Sequence, residues 1–186
     1  MELPKIRKLR LPKILICGHG RHGKDTVAEI LELHFGFRYS SSSNWCSEHV
    51  VFPKLKHKYN YVTIEQCYED RVNHRSEWFD IISEYNSPDR TTLGRAILAE
   101  GDIYVGLRNK AEMWALRNTR VFDISIWIDA LDRLPPEDKS SMTIEPWMCD
   151  FWIDNNGSPD ELTFNTVSWG NTLLGRDIEK VNLEMK

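Results

Sequence analysis

Three common features are missing from this sequence of 186 residues. No stretch approaches the roughly 18 consecutive apolar residues of a membrane-spanning helix, so we expect no membrane partner. The four cysteines lie far apart and form no CxxC pair, which argues against a zinc site or a disulfide framework. Positive charge is not in excess, since 24 Lys and Arg residues stand against 28 Asp and Glu residues. This acidic balance disfavours a protein that binds nucleic acid mainly by electrostatics.

The N-terminal stretch, residues 1–13, is basic but has no apolar run behind it, so it does not have the form of a secretory signal. We interpret it as a short solvated arm. The scattered cysteines are interpreted as reduced thiols, which favours a cytoplasmic protein.

The composition is that of one folded domain, with 41% hydrophobic and 28% charged residues. By the usual scaling, a chain of this size buries about 70% of the surface that its unfolded form exposes. Neither an internal repeat nor an interdomain linker is evident. Residues 1–186 are therefore predicted to form a single domain.

The first elements are predicted to be a strand, a loop and a helix. Lys13 to Cys17 form a short apolar run, which is typical of a strand buried on both faces of a parallel sheet. From Lys24 the apolar residues recur at helical spacing as far as Phe35, and Gly36 stands where a helix C-cap glycine is expected.

The rest of the chain alternates between strand-like and helix-like patterns, which predicts an α/β fold with a parallel sheet flanked by helices. Most of the seven tryptophans are expected in the core. The predicted strands are 102–109, 122–128 and 149–153, the predicted helices are 64–86, 88–101 and those starting near Asn109 and Ser158, and the predicted irregular segments are 40–44 and 129–142.

A glycine-rich motif of the form GxxxxGK lies between the first strand and the first helix. Its glycines let backbone N–H groups turn inward, and the helix N-terminus adds a positive dipole where phosphate oxygens bind. Lys24 would reach the β- and γ-phosphates of a nucleotide. The residues expected to bind the nucleotide in this loop are Gly18, His19, Gly20, Arg21, His22, Gly23, Lys24, Asp25 and Thr26.

The residue after the lysine is Asp25, where this motif usually has Ser or Thr, and the hydroxyl follows at Thr26. Asp25 could hold Mg²⁺ or act as a base near the acceptor hydroxyl, and we favour the metal role, with Thr26 as a further oxygen ligand. His19 and His22 are three residues apart, but a loop committed to phosphate leaves little room for a metal pair.

Five segments together resemble the phage deoxynucleoside monophosphate kinases and related small P-loop kinases, over roughly Lys13 to Asn165. The resemblance implies a three-layer P-loop kinase fold that uses ATP and Mg²⁺ to phosphorylate a deoxynucleoside monophosphate. It also implies a helical acceptor-binding part near 40–101, a lid near 129–145, and the host cytoplasm as location if the gene is phage-borne. The segments are GHGRHGKDT, EDRVNHRSEWFDIISEYN, DIYVGLRN, IWIDALDRLPPEDKSS and IDNNGSPDEL.

Phosphoryl transfer needs positive charge around the moving phosphate, and several arginines are candidates to supply it. Arg71 and Arg75 are four residues apart on the predicted helix, so they would share a face and could clamp a phosphate, or else pair with acids on the surface. Arg108 ends a predicted strand, at the sheet edge where ligands bind in open α/β folds, so it could contact a phosphate or else form a structural ion pair. It resembles the arginine of the DGxPR strand end of adenylate kinases, although the acid of that pattern is missing here, which leaves metal support to Asp25 or Asp129.

Three further residues are assigned to the site on weaker patterns. Arg133 falls in the segment where similar kinases have a lid, and it is expected to contact the phosphates. Asn156 belongs to a turn that in similar kinases lies near the adenine ring, or it serves only turn chemistry. Trp78 is one turn after Arg75 and, like Trp45, could stack on the acceptor base, although core packing is the more common role.

The sequence leaves two other functions open. The first is a kinase that phosphorylates a modified base such as 5-hydroxymethyluracil in phage DNA, which the acidic balance disfavours without excluding. The second is a nucleotide-dependent switch or assembly ATPase, which is weakened because no run of four apolar residues precedes Asp-Glu. A homodimer is left open by the sequence.

Overall fold

The computed structural model describes residues 10–139 and 141–175, so most of the predicted N-terminal arm lies outside the described residues. Lys13, the last residue of that arm, is not solvated: its Nζ donates to the carbonyl oxygen of Gly101 at 2.6 Å and to Asp102 at 3.1 Å. None of the helices in the described residues is long and apolar enough to cross a membrane.

A five-stranded parallel sheet organises the chain, with the spatial order β2-β3-β1-β4-β5. β1 lies at its centre because all four of its residues are apolar and buried, and its Ile14 pairs with Ile103 on one side and Ile124 on the other. The strands are β1 (Ile14–Cys17), β2 (Tyr39–Ser41), β3 (Ile103–Val105), β4 (Ile124–Asp129) and β5 (Phe151–Asp154).

Helices cover both faces of the sheet, which confirms the predicted α/β architecture. The side chains of Ile14 and Ile16 enter one core cluster with α1 and α8, whereas Leu15 and Cys17 enter the other with the helices from α2 to α7. The helices are α1 (Lys24–Phe35), α2 (Ser42–Cys46), α3 (Phe52–Tyr59), α4 (Ile64–Asp70), α5 (Arg75–Tyr85), α6 (Thr92–Glu100), α7 (Lys110–Asn118) and α8 (Pro159–Leu173), with a π-helical turn at Ser47–Val51 and a 3-10 turn at Pro146–Met148.

Helix-start patterns in the sequence were reliable where a side chain caps the backbone. Ser158 accepts from the Glu161 N–H at 3.2 Å while Glu161 accepts from the Ser158 N–H, so α8 begins at the predicted position with a capping box. Asn109 also caps α7, but the Glu112 side chain does not return to it and points into the core instead.

The prediction of one long helix over 64–86 was wrong, because a turn divides it into α4 and α5. Asp70 causes the break: its carboxylate binds the Asn73 side chain at 2.6 Å and the Tyr61 hydroxyl at 2.6 Å, and it pairs with His74 at 3.1 Å. These contacts compete with continued helical hydrogen bonding.

Other predicted boundaries were wrong for local reasons. The serine-rich segment 40–44 is not a loop, since it holds the end of β2 and the start of α2, where Ser41 caps the Asn44 N–H. The helix predicted from Pro88 begins only at Thr92, after an Asp89 turn that binds the Thr91 N–H at 2.8 Å. β3 stops at Val105, because Gly106 turns the chain at φ +94.

The expectation that most tryptophans are in the core holds only in part. Trp45, Trp78 and Trp127 are buried, but Trp114, Trp147 and Trp152 are 42%, 73% and 63% exposed. Trp152 lies on β5, an edge strand of the sheet, where one face is open.

Candidate active site

The predicted glycine-rich loop connects β1 to α1 and passes close to β4. A side chain at Gly18, where φ is +145, would place its Cβ 2.6 Å from the carbonyl oxygen of Ile128. At Gly23, where φ is +92, a Cβ would lie 2.4 Å from the Asn155 side-chain nitrogen. Only glycine fits either position, so the loop can lie this close to β4 and the residues after β5.

Lys24 is the first residue of α1, and its side chain folds back over the loop. It is buried, and its Nζ donates to the His19 carbonyl oxygen at 2.5 Å. Burial, and then the nearby positive charge of Arg108, lower the pKa of Lys24. The ammonium group therefore lies against the backbone of the loop.

The two loop histidines act as hydrogen-bond acceptors toward the segment after β4. His22 Nδ1 accepts from the Ala130 N–H at 3.1 Å, and His19 Nδ1 accepts from the Glu137 N–H at 3.2 Å. Burial, followed by the proximity of His22, lowers the pKa of His19. The imidazoles thus fasten the loop in place, and in the described residues no group of three or more His, Cys, Asp or Glu side chains could hold a metal.

Asp25 and Thr26 follow Lys24 in the first turn of α1, and both side chains are exposed. Arg21 is exposed as well and takes a left-handed conformation, with φ +65. These residues border the loop on its solvent side.

Glu137 is a residue of the site that the sequence analysis missed. Its Oε2 accepts from the Gly20 N–H at 2.7 Å, and its Oε1 binds the Arg108 guanidinium. Burial opposes ionisation, but the hydrogen bond from Arg108 and that from Gly20 keep the pKa of Glu137 below its usual value. The Glu137 carboxylate therefore accepts from a loop N–H that could otherwise donate to a phosphate oxygen. In the sequence, only the position of Glu137 after two consecutive prolines could have suggested this contact.

Asp129 and Asn156 lie at the ends of β4 and β5, next to the loop. Asp129 is buried, its Oδ2 accepts from the Asn156 amide at 3.1 Å, and its Oδ1 has no hydrogen-bond partner among the described residues. Asn156 also accepts from the Asp132 N–H at 2.9 Å, so it ties the segment after β4 to the turn after β5. Arg133 joins the same junction, since its Nε donates to the Asn155 carbonyl oxygen at 2.8 Å.

A cavity of about 570 Å³ opens between the carboxyl end of β3 and the helices α2, α5, α6 and α7. Its walls combine aromatic and aliphatic side chains with two arginines and one carboxyl group, a mixture typical of small-molecule sites. The residues that line it are Ser42, Ser43, Cys46, Trp78, Phe79, Ile82, Ser83, Asn86, Ser87, Pro88, Arg90, Leu93, Tyr104, Gly106, Leu107, Arg108, Asn109 and Glu112.

Of the four residues expected at the acceptor site, Trp78 and Arg108 line this cavity, whereas Arg71 and Arg75 do not. The idea that Arg71 and Arg75 share a helix face was wrong, because the turn after Asp70 separates them. Arg71 instead stacks on the Tyr68 ring at 3.7 Å and donates to the Tyr68 carbonyl oxygen at 2.8 Å. Arg90 is the second cavity arginine, and it had no signal in the sequence beyond its place before α6.

No family model and no curated protein matches the sequence. Among solved structures, the chain is similar to a sugar kinase from Janibacter sp. HTCC2649, with 14% identity and a TM-score of 0.45 over 86% of this chain and 94% of that one. It is also similar to shikimate kinase from Aquifex aeolicus vf5, with 17% identity and a TM-score of 0.44 over 88% of this chain and 99% of that one. At this distance neither likeness assigns a family, and the resemblance to phage kinases stays a prediction.

Proposed function

We propose that this protein is an ATP-dependent kinase that phosphorylates a deoxynucleoside monophosphate. The observation that carries the proposal is the position of Arg108. Its side chain lines the cavity and also pairs with Glu137, whose carboxylate binds the loop at Gly20. The loop proposed to bind phosphate and a cavity large enough for a nucleotide both adjoin one arginine, which supports transfer between two phosphates.

The donor site is assigned to the loop. Its backbone N–H groups and the N-terminus of α1 would hold the phosphates of ATP, and Lys24 would stabilise charge on the transferring group. The turn that contains Asn156 is assigned to the adenine side, and Arg133 to phosphate contact from the segment after β4.

The residues beside the loop fit a magnesium ion. The buried Oδ1 of Asp129 lacks a partner in the described part of the chain, and Asp25 and Thr26 offer exposed oxygens on α1. Oxygen ligands of this kind are those that Mg²⁺ prefers. When held by these residues, the ion would supply positive charge that neutralises the phosphates of the nucleotide.

The acceptor site is assigned to the cavity. Arg108 and Arg90 supply positive charge for the acceptor phosphate, and the guanidinium fork suits bidentate contact with its oxygens. Trp78 contributes a wall against which a base could lie, although it is also part of the core. Arg71 and Arg75 lie outside the cavity lining, so we give their expected role to Arg90.

The experiment that tests the proposal measures ADP release with each deoxynucleoside monophosphate in turn. Stimulation by at least one of them is expected, and the absence of stimulation by any would contradict the proposal. Labelled phosphate that appears on polymeric DNA but not on free nucleotides would instead support the base-modifying kinase. Slow hydrolysis stimulated only by a protein partner would support the ATPase switch.

A further inference from the structure

Two of the four cysteines meet in the folded chain, although they lie far apart in the sequence. Cys17 is the last residue of β1, and Cys149 follows the 3-10 turn that precedes β5. The side chain of Cys17 is fully buried in the core cluster on the α2–α7 face of the sheet, and Cys149 is half-buried against the same cluster. The Cys17 thiol donates a hydrogen bond to the Cys149 sulfur, so the two sulfur atoms are in contact.

Strand β4 holds the two cysteines in this position. In the parallel register Cys17 pairs with Trp127, and Ser125 lies two residues earlier on the same face of β4. Asp150, the residue after Cys149, donates its N–H to the Ser125 carbonyl oxygen at 3.0 Å, and its carboxylate accepts from the Ser125 N–H at 2.8 Å. These contacts fix the backbone beside Cys149 against the strand that neighbours Cys17.

The surroundings of the two thiols favour different protonation states. The hydrogen bond from Cys17, with a further one from Ser125, lowers the pKa of Cys149 although burial opposes this shift. The hydrogen bond to Cys149 and complete burial raise the pKa of Cys17. The nearby charges of Arg117 and Asp150, which pair with each other at 2.9 Å, act on Cys149 in opposite directions. Cys149 is therefore the nucleophile of the pair, and Cys17 is its protonated partner.

The other two cysteines are poor nucleophiles. Cys46 and Cys67 are fully buried, and burial raises the pKa of both thiols, that of Cys46 to about 12. Oxidation of thiols follows thiolate character and exposure, so Cys149 is expected to react before either of them.

We propose that Cys149 and Cys17 form a redox-active pair, in which Cys149 attacks hydrogen peroxide and Cys17 then closes a reversible disulfide with it. Reduced thiols in contact can be joined without a large backbone movement, and disulfides of this reversible kind are the ones found in reducing compartments. This modification site is independent of the proposed kinase function.

The reaction proceeds in two steps that balance. The Cys149 thiolate attacks one peroxide oxygen, which forms an S–O bond, breaks the O–O bond and releases hydroxide. The Cys17 thiol then gives up its proton, and its sulfur attacks the sulfenic sulfur of Cys149, so that an S–S bond forms and the S–O bond breaks. The departing oxygen takes up the proton and leaves as water. The two sulfurs are oxidised, and the peroxide is reduced to water and hydroxide.

The test treats the reduced full-length protein with a small excess of hydrogen peroxide and follows its intact mass and its thiols. We expect the loss of two hydrogen atoms, about 2 Da, and a fall from four titratable thiols to two, both reversed by dithiothreitol. Digestion without reductant should release one cross-linked pair of peptides, which contains Cys17 and Cys149.

Substitution of single cysteines separates the two roles. In Cys17→Ala the sulfenic acid on Cys149 has no resolving thiol beside it, so a gain of one oxygen atom, about 16 Da, should appear and be trapped by dimedone. Cys149→Ala should keep its remaining thiols under the same treatment. Cys67→Ala removes a buried cysteine outside the pair and is the matched control, which should still form the disulfide at the wild-type rate.

The outcomes that would overturn the pair are distinct from those that bear on the kinase. Four intact thiols in the wild type under conditions that oxidise free glutathione, a disulfide that includes Cys46 or Cys67, or oxidation of Cys149→Ala at the wild-type rate would each contradict it. None of these results affects the kinase proposal, and a failure of every monophosphate to stimulate ADP release would leave the disulfide in place.

Discussion

The proposed role of Lys24 in phosphoryl transfer can be tested separately from its contribution to the fold. Its ammonium group donates to a backbone carbonyl oxygen of the loop, that of His19, so we expect Lys24→Ala to keep the fold while removing the charge beside the proposed transferring phosphate. We expect phosphoryl transfer to fall by at least about 100-fold, the usual cost of losing one such group. The far-ultraviolet circular dichroism spectrum of the variant should match that of the wild type. Turnover close to that of the wild type would contradict the assignment of the loop as the donor site.

Glu112 also predicts a pH dependence of stability. Burial, only partly opposed by hydrogen bonds from Tyr104 and Asn86, raises its pKa from its ordinary value near 4.5 to about 7. The folded state therefore binds the proton more tightly than the unfolded state, and its stability falls as the pH rises through this interval. Relative to Glu112→Gln, the wild type should lose about 3 kcal/mol of unfolding free energy between about pH 4.5 and pH 7.

Urea denaturation of both proteins across this pH range measures that difference. Groups that are present in both proteins cancel in the comparison. If the unfolding free energies of wild type and Glu112→Gln change with pH in the same way, the carboxyl group is better solvated than its burial indicates.

The backbone of the loop between β1 and α1 lies very close to that of β4. Glycine is needed there for lack of space as well as for its conformational freedom. Gly18→Ala combines a strained φ with a Cβ placed 2.6 Å from the Ile128 carbonyl oxygen. We expect a loss of at least about 2 kcal/mol in unfolding free energy, together with weaker nucleotide binding. Gly36→Ala is the control, because φ is +75 there but no atom lies within 4 Å of the added Cβ, so only the strain of about 1 kcal/mol remains. Equal losses in denaturation of the two variants would contradict the close contact.

In the proposed kinase, the segment after β4 would compete with the nucleotide for the loop. Since the Glu137 carboxylate accepts from the Gly20 N–H, a phosphate must displace it or share the donor. Glu137→Ala should therefore bind ATP more tightly, by several-fold up to about tenfold, the value of one charge-assisted hydrogen bond. Calorimetric titration with a non-hydrolysable analogue measures this, with Glu145→Ala as an exposed control. Weaker binding in Glu137→Ala would mean that the carboxylate supports the ligand.

At the level of elements, the sequence predicted the strands and helices whose signals come from residues that are close together in the chain. The apolar run of β1, the spacing of α1 and the caps at Asn109 and Ser158 are local patterns, and they predicted the correct elements. The break between α4 and α5 depends on contacts of Asp70 with Tyr61 and His74, and the spacing of apolar residues in the sequence does not reveal these contacts. Glu137 and Glu112 enter the site through contacts 117 and eight residues away in sequence, so their burial and partners required the fold.

The molecule as a whole is held by two core clusters on opposite faces of one sheet. Adjacent residues of β1 serve different clusters, with Leu15 in one and Ile16 in the other, and both are fully buried. Leu15→Ala and Ile16→Ala should each cost about 2–5 kcal/mol. If the sheet couples the clusters, tryptophan fluorescence and far-ultraviolet circular dichroism should report one common unfolding midpoint in each variant, whereas separated midpoints would show that the faces unfold independently.

The contact of Glu137 with both Gly20 and Arg108 has a consequence for the order in which substrates bind. One carboxylate holds a donor of the loop and the arginine of the cavity, so whatever displaces it from the loop also weakens its hold on Arg108. Occupation of the loop by ATP would then release a guanidinium for the acceptor phosphate, and reciprocity requires the acceptor to favour ATP equally. In the proposed kinase, the unliganded protein would thus hold neither site ready for its substrate, and binding at one site would prepare the other.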